Sequence, residues 1–205
     1  KLNGANVGDK VAVDFLSWKD ENKSPIAEVS EVIGKAGDPT AEYESILKEF
    51  ELSEDFPTKV KAESQEIPEV IPKQEIDKRK DLRKEEIVTI DPADAKDFDD
   101  ALSMKTLNNG NYRLGVHIAD VGHYVPENSE IDIEGRTRGT SVYLVDRVVP
   151  MLPEKLSNKV CSLRPGEDKL AFSVEMEFSP RGVLKNYEIF ESVIRSKRRY
   201  NYDEV

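Results

Sequence analysis

The sequence predicts a mixed α+β fold, and three observations carry that prediction. Two pairs of β-rich segments flank turn signals: 101–107 with 112–119 around Asn108-Asn-Gly-Asn111, and 170–178 with 183–194 around Ser179-Pro-Arg-Gly182. A helical apolar stripe and a charged, proline-cut segment lie upstream of both. Finally, 38% of the 205 residues are hydrophobic and 35% charged, which is enough apolar content for a packed core beneath a heavily solvated surface.

The elements follow in order. Residues 10–15 alternate apolar and polar as a half-buried strand does, and 26–33 do so more loosely after a polar turn over 19–25, giving a terminal hairpin. Gly34 to Pro39 breaks the pattern, and 41–50 places Tyr43, Ile46, Leu47 and Phe50 on one helical stripe. Residues 57–86 are rich in Lys and Glu and cut by Pro57, Pro68 and Pro72, which reads as a charged helical connector with a solvated surface. Ile87-Val-Thr-Ile90 is a short β-branched strand, the first hairpin follows, 153–161 reads as a helix with Pro153 in its first turn, and the second hairpin ends at Ile194. The segmentation is therefore 1–36, 37–86 and 87–205.

Several classes are disfavoured. No stretch approaches the ~18 apolar residues of a membrane-spanning helix, so no membrane partner is expected. Cys161 has no internal disulfide partner, and with only His117 and His123 beside it a Cys/His zinc site lacks ligands. A reducing, cytoplasmic setting is expected. The chain opens on Lys1 and stops just past Asp203, which reads as the cap of a helix beginning there, so a piece of a longer protein is expected. The net charge of −11 argues against uniform electrostatic binding of nucleic acid. The acidity is localised, however: the chain is acidic through residue 133 and mildly basic after it, where Arg136, Arg138, Arg147, Arg164 and the 195–199 run lie. That layout suits an anionic substrate held beside a metal.

Asp91-Pro-Ala-Asp94-Ala-Lys-Asp97-Phe-Asp99-Asp100 packs five carboxylates into ten residues between two strands. Like charges ~4 Å apart repel by about 4 kcal/mol at an effective dielectric of about 20, so converging carboxylates separate, protonate or share a cation. Mg²⁺ prefers oxygen ligands and keeps waters and substrate phosphates in its shell, so an open Asp cluster suits phosphodiester chemistry. An EF-hand is excluded, since the third and fifth positions from Asp91 are Ala93 and Ala95 and the twelfth is Leu102. A merely solvated loop is the plainer reading of such a cluster. Against it stand the flanking strands and apolar Phe98, which pin the backbone to a core.

With Thr89-Ile-Asp91-Pro-Ala-Asp94-Ala-Lys-Asp97-Phe-Asp99-Asp100-Ala-Leu, the sequence resembles the ribonuclease II/R family of RNB-type 3′→5′ exoribonucleases, R-type members being the nearer. His117-Ile-Ala-Asp120-Val, Arg136-Thr-Arg-Gly-Thr-Ser-Val-Tyr143-Leu, Pro150-Met-Leu-Pro153, Leu156-Ser and Cys161-Ser-Leu163 follow in the family's order, so the resemblance covers about 79–205. Gly8-Asp-Lys-Val-Ala-Val13 through Glu31-Val-Ile-Gly34 is similar to the last strands of the cold-shock OB domain that precedes the catalytic domain. The resemblance thus implies a partial RNB-type catalytic domain over 87–205, a connector over 37–86 and an OB remnant over 1–36.

It further implies Asp91, Asp97, Asp99 and Asp100 as catalytic and metal-binding residues, Asp91 and Asp100 as direct ligands and Asp99 placing metal or water. The implied cofactor is Mg²⁺, two ions, with Mn²⁺ as a substitute. The implied reaction is processive hydrolysis of single-stranded RNA from its 3′ end to nucleoside 5′-monophosphates, by a monomer. Tyr143 falls where the family clamps a base, a stacking worth roughly 1–3 kcal/mol; otherwise it is a strand tyrosine in a core. Arg136 and Arg138 suit bidentate phosphate contacts and the 195–199 run the RNA's path, surface solvation being the alternative. His117 and Asp120 read as structural residues or neighbours of the site, and Cys161 as packed under a helix. In the family, further catalytic-domain elements, among them an arginine that aids catalysis, and an RNA-binding domain follow the matched region, so this chain alone is expected to be inactive or nearly so. The competing readings are a non-catalytic RNA-binding scaffold with a decayed nuclease domain and an unrelated metal-dependent phosphohydrolase.

Overall fold

The computed structural model describes residues 1–145 and 147–205. It comprises two compact units, 1–55 with 143–149, and 56–142 with 150–205.

In the first unit, β1 (Asp9–Ser17) and β2 (Ile26–Lys35) pair antiparallel from Asp9↔Lys35 to Ser17↔Ile26, with irregularities that keep the ribbon twisted. The helix α1 (Pro39–Glu49) packs on both strands. Asp38 starts it, accepting from the amides of Thr40 (2.9 Å) and Ala41 (3.1 Å), with Pro39 in the first turn. The buried stripe is Ala41, Tyr43 and Leu47. Ile46 and Phe50 lie at the surface, unlike the sequence reading, because Phe50 is already the C-cap.

Along the second unit come α2 (Thr58–Glu66), α3 (Lys73–Ile76), β3 (Lys80–Asp81), β4 (Ile87–Asp91), β5 (Asp100–Thr106), β6 (Tyr112–Ala119), α4 (Val121–Tyr124) and α5 (Glu130–Arg138). Next is a short pairing of β7 (Val142–Tyr143) with β8 (Val148–Val149), the greater part of which belongs to the first unit. The unit closes with β9 (Lys169–Phe178), β10 (Leu184–Ile194) and β11 (Arg198–Asn201). Among the described residues, seven of these strands form one mixed sheet in the order β11-β4-β5-β6-β9-β10-β3. Both hairpins are where the turn signals place them, and Gly110 and Gly182 take the left-handed conformation (φ 81° and 75°) that their turns need.

One sheet face carries small residues, Ala101, Gly115, Ala119, Ala171, Ser173 and Ser192, against which Val60, Leu82, Ile131, Leu156, Leu163 and Ile194 are gathered into the core. The connector therefore contributes to packing and is not simply solvated: Val60, Ser64, Arg79 and Leu82 are buried. The compact units divide at 55/56, unlike the segmentation at 36 and 86, because α1 packs on the β1–β2 hairpin while α2 packs on α5. The predicted 153–161 helix is helical over 154–160 and widens to a π-helix over Leu156–Val160, where the Cys161 amide reaches back to the Leu156 carbonyl at 2.9 Å. At the end of the chain Asn201, not Asp203, caps the final turn: its side chain accepts from the amides of Asp203 (3.0 Å) and Glu204 (3.1 Å), and Glu204 reaches back to the Asn201 amide at 2.8 Å.

Candidate active site

Asp91 ends β4 and Asp100 begins β5, so these neighbouring strands bring the two ends of the acidic loop together. Alternation along β4 buries Ile87, Thr89 and Asp91. Parallel pairing with β11 then sets Arg199 beside Thr89 and Asn201 beside Asp91.

The second half of the loop is pinned by the Cys161-Ser-Leu163 segment. The Phe98 amide donates to Ser162 Oγ (3.1 Å), Ser162 Oγ donates to the Lys96 carbonyl (2.9 Å), and the Leu163 amide donates to the Phe98 carbonyl (2.8 Å). Phe98 is buried in the core and the Asp99 carbonyl accepts from the Ala119 amide at 2.9 Å. The first half is held by Arg199, whose Nη2 donates to the carbonyls of Pro92 (2.5 Å) and Ala93 (2.7 Å), with its guanidinium 5.1 Å from the Phe98 ring centre.

The four predicted aspartates act on one another electrically. Burial raises the Asp91 carboxyl above the usual range, and the charges of Asp100 and Asp97 add to this, while Thr89 and Arg199 oppose it. Asp99 keeps an exposed side chain, yet its carboxyl is raised too, first by the desolvation it does suffer and then by Asp97, Asp100 and Asp91. Among the described residues Asp91 Oδ2, Thr89 Oγ1 and Arg199 Nε are buried and make no hydrogen bond of good geometry, although Thr89 lies close enough to Asp91 to favour its ionised form. A buried carboxylate oxygen without a donor is costly unless something positive meets it. Among the described residues no three His, Cys, Asp or Glu side chains close into a ready-made cage. An all-oxygen set that is mutually repulsive and open is the arrangement Mg²⁺ uses when waters and substrate phosphates complete its shell, and the residues present fit such an ion.

The other predicted residues are placed apart. Arg138 is built into the second unit: Nε donates to Glu134 Oε1 (2.8 Å), Nη1 to the Pro150 carbonyl (3.1 Å), and the group lies 3.9 Å over the Phe56 ring. Arg136 stays at the surface of α5, paired with Asp132 and donating to Asn128 Oδ1 at 3.1 Å. Tyr143 belongs to the first unit and is 67% exposed, which does not make it a core tyrosine. In the basic run, Arg195 bonds Asp168 (2.7 Å), Lys197 the Arg83 carbonyl (2.7 Å) and Arg198 Glu204 (3.2 Å). His117 is fully buried between Ser103 (3.0 Å) and Ser173 (2.8 Å), and Cys161 lies in the core with its thiol pushed up to about 12 by burial.

Sequence reasoning missed two arginines. Arg79, side chain 2% exposed, joins Glu75 Oε1 (2.7 Å) to Asp120 Oδ2 (2.7 Å), with Nη2 3.4 Å from His123 Nδ1. Arg199 looked like one cation among several, and only its β11 pairing turns it toward the loop. A cavity of about 610 Å³ lies elsewhere, between Val70, Ile76, Lys159, Arg164 and Arg195, and its cations are paired with Glu69, Glu167 and Asp168. The unpaired oxygen and coupled carboxylates mark the acidic loop as the better candidate.

A family model described as the RNB domain matches residues 79–205, and a cold shock domain model matches 1–57. The chain belongs to the RNB family. Among its RNB relatives, Ribonuclease R of Thermotoga maritima is 48% identical over 206 residues, covering all of this chain and 29% of the relative. The chain thus spans under a third of that protein's length. Among solved structures, Mycoplasma genitalium RNase R in complex with ribose methylated single-stranded RNA superimposes with a TM-score of 0.87 at 34% identity, covering 98% of this chain and 31% of that one. Yeast Ssd1, a pseudonuclease, superimposes with a TM-score of 0.78 at 23% identity over 96% of this chain and 25% of that one, which shows likeness of fold alone.

Proposed function

We propose that the full-length protein is a hydrolytic 3′→5′ exoribonuclease acting on single-stranded RNA, with its chemistry on the acidic loop. The observation that carries this reading is the electrostatic influence of Asp97 and Asp100 on both Asp91 and Asp99, on the loop that joins β4 to β5, beside an Asp91 oxygen that is buried without a hydrogen bond among the described residues. The relatives named Ribonuclease R and the solved neighbour bound to single-stranded RNA support it.

In this reading Asp91 and Asp100 are the direct ligands, and Asp97 and Asp99 complete the acidic rim. Bound Mg²⁺, with Mn²⁺ as substitute, supplies a water of lowered pKa and neutralises charge on the phosphate. The residues do the rest. Asp91, desolvated and short of donors, gives up little hydration on meeting a cation. Asp99, its carboxyl raised in the bare protein, releases any proton it holds when positive charge arrives. The Ser162 and Arg199 contacts hold the carboxylates in place, so little reorganisation remains at the moment of reaction. Tyr143, exposed on the first unit, is proposed to stack on a base near the 3′ end, and Arg136 to meet a phosphate by exchanging Asp132 for it. Arg138 is proposed only to support α5. The 205-residue chain alone is proposed to degrade RNA little.

The test is 5′-labelled single-stranded RNA incubated with the full-length protein and its Asp100→Asn variant, in Mg²⁺ and in chelator. The expected result is a ladder receding from the 3′ end, lost in chelator and in the variant, with Tyr143→Ala changing the length of the shortest product. Discrete internal cuts would favour an unrelated phosphohydrolase. Intact but retarded RNA would favour a binding scaffold.

A further inference from the structure

Eight residues, 92–99, join β4 to β5, and they carry like charges that push the loop open. Its second half is tied to the protein by Ser162 and Leu163. Among the described residues, a backbone bond within its first half runs from the Ala95 amide to the Pro92 carbonyl at 3.1 Å, and Pro92 has no amide to donate. What ties the first half to the sheet is Arg199. A single Nη2 bridges two consecutive carbonyls at 2.5 and 2.7 Å, and the guanidinium faces the ring of Phe98 at 5.1 Å. Arg199 is the lateral neighbour of Thr89, two residues before Asp91 on the same strand face, so one cation spans the entry, the turn and the exit of the loop.

We propose that Arg199 is the positioning residue of the acidic loop: it touches neither RNA nor metal, and sets the separation between Asp91 and the Asp97-to-Asp100 group. This rests on the reading of those carboxylates as metal ligands. Geometry and charge act together here. The two carbonyl bonds fix the path of the backbone after Asp91, and the positive charge offsets carboxylate repulsion that otherwise widens the site. Lysine is a poor replacement, because one ammonium lacks the planar fork that bridges carbonyls while lying against a ring.

The experiment uses the 205-residue chain as wild type, Arg199→Met, Arg199→Lys and Asp100→Asn, with amide exchange followed residue by residue and Mn²⁺ affinity read from the free-ion electron paramagnetic resonance signal. For Arg199→Met we expect roughly tenfold faster exchange at Ala95 and about tenfold weaker Mn²⁺ binding, the scale of losing a residue that orients ligands, with amides of β6 and β9 unchanged. Arg199→Lys should regain only part of the affinity, and added methylguanidinium should restore Arg199→Met toward wild type. Unchanged exchange at Ala95 together with wild-type Mn²⁺ affinity overturns the proposal. Equal acceleration across β6 and β9 also overturns it, since the arginine then serves only global stability. Failure of the ligand reading has its own signature: wild type and Asp100→Asn take up Mn²⁺ alike, whatever the loop amides do, and the proposal falls with it.

Discussion

His117 shows how a polar residue in a sheet core is handled. Its ring is fully buried between two serine hydroxyls, and burial holds its pKa down to about 4. The folded form is neutral while the unfolded form takes up a proton below about 6.5, so stability is complete above that pH and drains away as pH falls toward 4. The loss is about 3 kcal/mol at the low end. Urea unfolding at pH 7 and pH 4.5 should show it, and His117→Gln should flatten the slope. Gly115 belongs to the same arrangement, since a Cβ there would stand 2.4 Å from Ser103 Oγ and 2.8 Å from His117 Nε2.

Asp91 and Asp99 titrate with the opposite sign. Their carboxyls are raised in the folded protein, so protonation stabilises the fold, and that stabilisation is lost as pH rises through the folded values. At neutral pH the ionised cluster is a cost. Asp91→Asn should therefore raise the melting temperature in chelator by roughly 2–4 °C, the shift that about 1 kcal/mol produces in a domain of this size. With Mg²⁺ the wild type should gain stability and the variant should not. A variant less stable than wild type in chelator would mean that Asp91 is satisfied without a cation. Of the residues at this site, the aspartates were legible in the sequence because carboxylates so dense must find a cation or solvent. Arg199 was not, because a cation inside a basic run has no mark of its own until strand pairing gives it a direction.

At the scale of elements, the connector illustrates what composition hides. Arg79 stands at its end, between Glu75 of α3 and Asp120, which caps α4. The Arg79 side chain is almost wholly buried and the two carboxylates are mostly so, and removing the cation leaves Asp120 without its ion pair while Glu75 keeps Lys78 at 3.4 Å. Arg79→Met should cost about 3–5 kcal/mol, read from urea midpoints at pH 7. The double variant Arg79→Met with Asp120→Asn should recover part of that loss. Both hairpins were legible because turn residues and alternation agree in them. By contrast, β11 was missed, since Arg198-Arg-Tyr-Asn201 is neither apolar nor alternating, and its pairing with β4 is a long-range event.

At the scale of the molecule, the sheet of the second unit has a second face. Met104, Leu114, Met176 and Tyr187 form one cross-strand row, Leu102, Val116, Val174 and Ile189 the next, and Asp100, Ile118, Phe172 and Glu191 a third. Met104, Tyr187, Ile189, Ile118 and Phe172 are each about half exposed or more. Such a face is far more apolar than solvent-facing strands require. The 205-residue chain should bind a dye such as ANS and scatter light at tens of micromolar. Phe172→Thr with Ile189→Thr should reduce both, with stability changed by less than about 1 kcal/mol. Equal dye binding by the variant would mean that another surface is responsible.

By itself the sequence determined what depends on neighbours along the chain: the two hairpins, the helix over 41–50, and the carboxylate density of the acidic loop. Turn geometry, alternation and local charge act over a few residues, so they can be read in order. The tertiary structure decided what depends on distant partners. It joined Arg199 to Pro92 and Ala93, Ser162 to Phe98, and Arg79 to Asp120. It also placed Arg138 in the fold and left Arg136 at its surface. Nothing local distinguishes those two arginines, because burial is set by what packs above a residue, and that is fixed only when the sheet and its helices come together.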